Sequence, residues 1–165
     1  MRYPSNEPAR IPTPASGRPV RMPDEAHQLH CRRVVTAPVE EVWRAWTDED
    51  LMVDWFCPDP SFTSQVSADA RPGGVYSVEM GQGFIVAGVF TRLDEPRVLE
   101  FSWHWEHESR VPASMVHVSF TPVAEGTLVE IEHGGFVLPD DAEGHREGWM
   151  RSLHRLGLLL DRPAN

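Results

Sequence analysis

Between residues 62 and 133 the chain alternates apolar and polar residues with a period of two, in six short runs separated by turn residues. The runs are "FTSQVSADA", "VYSVEM", "FIVAGVFTRL", "VLEFSWHWEH", "ASMVHVSFTP" and "TLVEIEH". Strand side chains point alternately to opposite faces. Each run therefore gathers its large apolar residues on one side: Tyr76, Val78 and Met80; Leu99, Phe101, Trp103 and Trp105; Val116, Val118 and Phe120; Val129, Ile131 and His133. "RPGG", "GQG", "DEPR" and "AEG" supply turn chemistry between them. Close spacing and one-sided apolar faces predict an antiparallel meander. Gly88, inside the longest apolar run, marks a bulge or bend.

The flanking segments have a different period. "HQLHCRRVVTAP" predicts a first strand ending at Pro38. After it, Val39, Val42, Trp43 and Trp46 recur at three and four, the stripe of a short helix with Thr36 as its expected N-cap and Pro38 in its first turn. Asp48 is placed to cap a second short helix carrying Leu51, Met52, Trp55 and Phe56, stopped by Pro58 and Pro60. Near the C-terminus Trp149, Leu153, Leu156 and Leu160 form the apolar stripe of a helix of about four turns. Pro139, Asp140 and Asp141 suit its start, and Arg162 and Pro163 its end.

A sheet with one apolar face must cover it. The C-terminal helix is the only long element available, so the expected fold is α+β: a curved antiparallel sheet of about seven strands wrapped around that helix, with two short helices after the first strand. A twisted sheet and a straight helix leave a gap between them, which predicts a cavity. Residues 26–162 are expected to form a single domain. Residues 1–25, with Pro4, Pro8, Pro12, Pro14, Pro19 and Pro23 and no apolar period, are expected to be an extended or disordered arm, or to lie over a neighbouring subunit. A homodimer is left open.

Composition narrows the function. A net charge of −10 and the lack of a basic patch beyond Arg32-Arg33 argue against nucleic acid as a partner. The chain has no lysine, so Schiff-base chemistry and a lysine base are excluded. No apolar run reaches the roughly 18 residues of a membrane span, and the N-terminus lacks the apolar core of a secretory signal, so a cytoplasmic protein is expected. Cys31 and Cys57 are too few for a disulfide framework and are expected as buried or free thiols, with one bridge as the alternative; Cys57, beside Trp55 and Phe56, is a candidate reactive thiol near the mouth of the cavity.

The blocks "APVEEVWRAWTDEDLMVDWF", "RPGGVYSVEM", "GVFTRLDEPRVLEFSW" and "GHREGWMRSLHRL" resemble the SRPBCC (START-like, helix-grip) superfamily, in the branch named for the activator of the heat-shock ATPase homologue. The resemblance spans about residues 27–160 and implies the helix-grip fold, with the short helix pair gating the cavity. The superfamily hosts lipid carriers, polyketide cyclase-like proteins, hormone receptors and co-chaperone domains, so it implies a site more than a reaction.

Trp103, Trp105 and Trp149 are the expected cavity walls, because apolar pockets with a few placed polar groups are the usual small-molecule sites. Val78, Met80, Phe101, Val118, Phe120, Ile131 and Leu153 share that interior face, with Trp55 and Phe56 expected near the mouth. Each is equally a core residue, since aromatic burial stabilises any interior. His133, on the apolar face at a strand end, is the candidate acid–base group or polar anchor; a backbone-bonded strand-end histidine is the plainer alternative. His145, ahead of the C-terminal helix, suits a capping or turn bond, and Glu147 is spaced to pair with Arg151. His104 and His107 fall on opposite faces of an extended strand, and no zinc motif is present, so no metal or other cofactor is expected. Three functions stay open: binding of a small apolar or aromatic molecule in the cavity, a cyclase- or hydrolase-type reaction there, and interaction with a heat-shock ATPase.

Overall fold

In the computed structural model, which describes residues 27–163, one antiparallel sheet carries the strands β1 (Gln28–Val35), β2 (Gln65–Ala68), β3 (Val75–Glu79), β4 (Ile85–Asp94), β5 (Val98–Trp105), β6 (Ser114–Val123) and β7 (Gly126–Gly134). Their spatial order is β1-β7-β6-β5-β4-β3-β2. The meander β2 to β7 follows sequence order, and β1 closes onto β7. The expected arm at 1–25 lies outside the described residues.

Register aligns the apolar rows. Leu99 faces Val118 and Phe101 faces Val116 across β5 and β6; Val118 faces Ile131 and Phe120 faces Val129 across β6 and β7. All of these are buried in one core, together with Trp149, Leu153 and Leu156 of the long helix α3 (Pro139–Leu160). The sheet curves around α3 as the alternation predicts. At 22 residues α3 has about six turns, two more than the apolar stripe from Trp149 to Leu160 predicts, because Gly144 and Gly148 do not interrupt it. His145 therefore lies inside the helix rather than ahead of it.

Two boundary expectations need correction. Helix α1 (Val39–Thr47) has Pro38, not Thr36, at its N-cap position. Thr36 bonds instead to the far end of α3: its backbone N–H donates to Asp161 Oδ1 at 2.9 Å, and its hydroxyl accepts from the Arg162 N–H at 2.9 Å. Helix α2 (Glu49–Met52), capped by Asp48 as expected, is a single turn that ends before Trp55 and Phe56. These two follow in turns and pack inward, and the Trp55 indole donates to the Ala45 carbonyl at 2.8 Å.

Gly88 and the irregularity in β4 are separate features. The register of β4 against β5 slips between Phe90 and Arg92. At Gly88 a Cβ would stand 1.9 Å from the Ser102 carbonyl oxygen, so glycine there permits close approach of the two backbones. Tyr76 donates to that same carbonyl at 2.6 Å, and Ser102 Oγ accepts from the Val89 N–H at 2.9 Å.

Candidate functional site

The middle of the molecule is filled by its own aromatic side chains. Trp46 stacks on Trp149 with ring centroids 5.8 Å apart and meets Phe120 edge-on at 5.8 Å. Trp46, Trp55, Phe120, Ile131 and Leu153 are fully buried. The gap left between Trp46, Phe56, Tyr76 and Phe101 is about 10 Å³, room for a single water at most. The gap expected between sheet and helix is thus closed around Trp46 and Trp149.

It opens at one end. A pocket of about 380 Å³ lies between the end of β5 and the first half of α3. Its aromatic and apolar wall is Phe56, Met80, Phe84, Trp103, Trp105 and Trp149, and its rim includes His107, Glu108, Asp140 and Asp141. The α3 lining includes Gly144, Gly148 and Ser152, spaced four apart on one helix face, beside His145 and Trp149. A Cβ added at Gly144 or Gly148 would meet nothing within 4 Å. The volume sits at the lower end of the usual range for small-molecule pockets.

Five of the residues expected from the sequence line this pocket: Phe56, Met80, Trp103, Trp105 and Trp149. Val78, Val118, Phe120, Ile131, Leu153 and Trp55 are fully buried and lie outside its lining, and Phe101 faces the small interior gap. His133 is fully buried behind the wall. Its Nδ1 accepts the Trp149 indole N–H at 3.1 Å, which leaves the proton on Nε2 to be donated to Ser114 Oγ at 2.7 Å. Ser114 passes a hydrogen bond to the Trp103 carbonyl at 3.4 Å. Burial, reinforced by the neighbouring His145 ring, holds the His133 pKa well below its ordinary value of 6.5, so the ring is neutral at pH 7. This chain of bonds occupies both ring nitrogens and ties β6, β7 and α3 together.

His145 repeats the pattern at the pocket wall. Its Nδ1–H donates to the Asp141 carbonyl at 2.7 Å, and its Nε2 accepts the Trp105 indole N–H at 2.9 Å. The ring sets Trp105 upright, edge-on to Trp103 with centroids 5.7 Å apart. Phe136 lies against both imidazoles, at 4.5 Å from His133 and 4.7 Å from His145. Trp103, itself 6% exposed, has a buried indole nitrogen without a hydrogen-bond partner among the described residues.

Sequence reasoning missed Gly144, Gly148, Ser152, Phe84 and the acidic rim. The small residues at i, i+4 and i+8 were a usable signal. His107 was missed because β5 ends at Trp105 and a 3₁₀ turn, Glu106–Glu108, carries it to the rim. Cys57 is buried beside Phe56 and close to the pocket, and Cys31 is also a free buried thiol, pushed up to about 11 by burial. Glu147 and Arg151 do not form an ion pair. Among the described residues no His, Cys, Asp and Glu side chains gather into a metal-holding group, and no helix is long and apolar enough to cross a membrane.

The sequence model for "Activator of Hsp90 ATPase homolog 1-like protein" matches residues 36–161, most of the domain whose strands and pocket are described above. The chain belongs to this family, within the SRPBCC superfamily. Its fold, a curved sheet closed on a long helix, is a ligand-binding fold. Solved structures agree. CV1439 from Chromobacterium violaceum is 25% identical over 84% of this chain and 99% of its own, with a TM-score of 0.72. CalU16 from Micromonospora echinospora is 30% identical over 79% of this chain and 73% of its own, with a TM-score of 0.61. DynU16, a protein of the dynemicin biosynthetic locus, shares the fold at 23% identity and a TM-score of 0.68, over 79% of this chain and 46% of its own. Among curated proteins, none is significantly similar in sequence to this chain.

Proposed function

We propose that this protein binds a small hydrophobic or aromatic molecule in the pocket between β5 and α3. The observation that carries this reading is the pairing of an aromatic wall, Trp103 and Trp105, with a helix face stripped to Gly144 and Gly148. Glycine inside a helix costs about 1 kcal/mol relative to alanine. Neither glycine is needed to clear a neighbour, so the open space in front of them has no packing explanation. A guest that stacks on the tryptophans would fill it.

A reaction in the same pocket has less support. His133 sits behind the wall with both nitrogens engaged, and His145 is held by Asp141 and Trp105. Proton transfer at either ring would first break one of these bonds.

The test is a thermal-shift and calorimetric panel of polycyclic aromatics, fatty acids and sterols against the wild type and Gly148→Leu. A ligand at a hundredfold excess over Kd should stabilise the wild type by about 2.7 kcal/mol. Gly148→Leu should remain folded and lose that stabilisation. If no apolar class raises the melting temperature, or if Gly148→Leu binds as well as wild type, the reading fails.

A further inference from the structure

The pocket's rim carries charge of one sign. Glu108, Asp140 and Asp141 line it, and no arginine does. Lysine is missing from the whole chain, whose net charge is −10. Neither Asp140 nor Asp141 has an ion-pair partner among the described residues, and Glu108 meets only His107, at 3.7 Å. Both aspartates sit in the first turn of α3, where they complement the helix dipole. That dipole presents about half a positive charge, against two full negative ones, so it does not neutralise them. Arg155 is bonded to the Cys57 carbonyl, and Arg146 on α3 pairs with Glu143 at 3.8 Å.

Inside this rim the walls are the rings of Trp103, Trp105, Phe84 and Phe56. Aromatic faces attract cations within about 6 Å of their centroids. An apolar anion such as a fatty acid would have to bring its carboxylate out through three others. A protonated amine would meet carboxylates at the rim and indole faces just within. On the reading that the pocket binds a hydrophobic molecule, we propose that its ligand is a cationic amphiphile: an apolar or aromatic body with a protonated amine at the outer end. The body lies against Trp103 and Trp105 over Gly144 and Gly148, and the ammonium lies between Glu108, Asp140 and Asp141.

Three probes of matched shape test this at low ionic strength by isothermal titration calorimetry: 2-(1-naphthyl)ethylamine, 2-(1-naphthyl)ethanol and 1-naphthaleneacetate. The amine should bind about tenfold tighter than the alcohol, equivalent to about 1.4 kcal/mol, and the carboxylate weakest of the three. In the triple variant Glu108→Gln, Asp140→Asn, Asp141→Asn the amine-to-alcohol ratio should fall to about one; as a ratio on one protein, it is independent of any change in stability. Added salt should erode the same preference. If the alcohol binds, and Gly148→Leu blocks it, but the amine has no advantage or the triple variant keeps it, the charge assignment is overturned while the pocket reading stands. If none of the three binds, both fall.

Discussion

The two ends of α3 use the same residue type for opposite purposes. At its C-terminal end a Cβ on Gly157 would come within 2.4 Å of the Arg33 guanidinium. The glycine leaves room for the Arg33 side chain of β1, and the contact is latched by the Arg33–Asp161 ion pair at 3.1 Å and the bonds of Thr36 to Asp161 and Arg162. At its N-terminal end Gly144 and Gly148 face open space, with aromatic rings across the gap. A small residue therefore means closure where a side chain from the sheet reaches it and vacancy where none does. The two histidines follow the same division: His133 is sealed behind Trp149, and His145 stands with Trp105 at the pocket wall.

The largest expected effect separates closed from open. Trp46→Ala, in the filled interior, should cost about 3–5 kcal/mol in urea unfolding. Trp103→Ala at the pocket wall should cost clearly less while abolishing ligand stabilisation; equal costs would mean that the wall is ordinary core. Next comes His133. Its depressed folded-state pKa means that, below about pH 6.5, the unfolded chain takes up a proton that the folded chain refuses. Its effect on stability is nil above that pH, and stability declines as pH falls, by at most about 1.4 kcal/mol per unit until the folded pKa is reached. His133→Gln should flatten the wild-type slope between about pH 5 and 6.5, at a cost of about 1–3 kcal/mol from unpaired Trp149 or Ser114 groups at neutral pH. An unchanged slope would show that the ring is not sealed.

The glycines give the smaller, sharper contrasts. Gly157→Leu should push Arg33 off Asp161, and overpacking of about 1–3 kcal/mol should exceed the gain of about 1 kcal/mol in helix propensity, for a net loss of about 1 kcal/mol. Gly148→Leu keeps the propensity gain without the clash, so its melting temperature should stay level or rise slightly. If both leucines destabilise equally, the two ends do not differ as described.

Much of this was legible in the sequence, for a local reason. Which face of a strand is apolar is decided by alternation over five or six residues. Tyr76, Val78, Leu99, Phe101, Val116, Val118, Val129 and Ile131 accordingly all turn inward. What alternation does not carry is depth. His133 and Trp103 are both inward-facing, yet one is sealed and the other lines a pocket, because the distance to the opening depends on where the sheet bends. Trp55 reads as a mouth residue only if α2 continues past Met52; with α2 a single turn, its indole is drawn to the Ala45 carbonyl.

The sequence by itself determined the elements, their faces, the turns between them and the family, since each follows from short-range periodicity or from blocks of residues in order. The tertiary structure alone decided that the interior closes at one end and opens at the other. That outcome depends on how α3 is seated, and its seat is held by contacts such as Thr36 with Asp161, 125 residues apart. No local pattern encodes the distance between a helix face and a strand end. It is set by the sheet's curvature and by how α3 is seated on β1, where Arg33 lies over Gly157, while Gly144 and Gly148 have no neighbour.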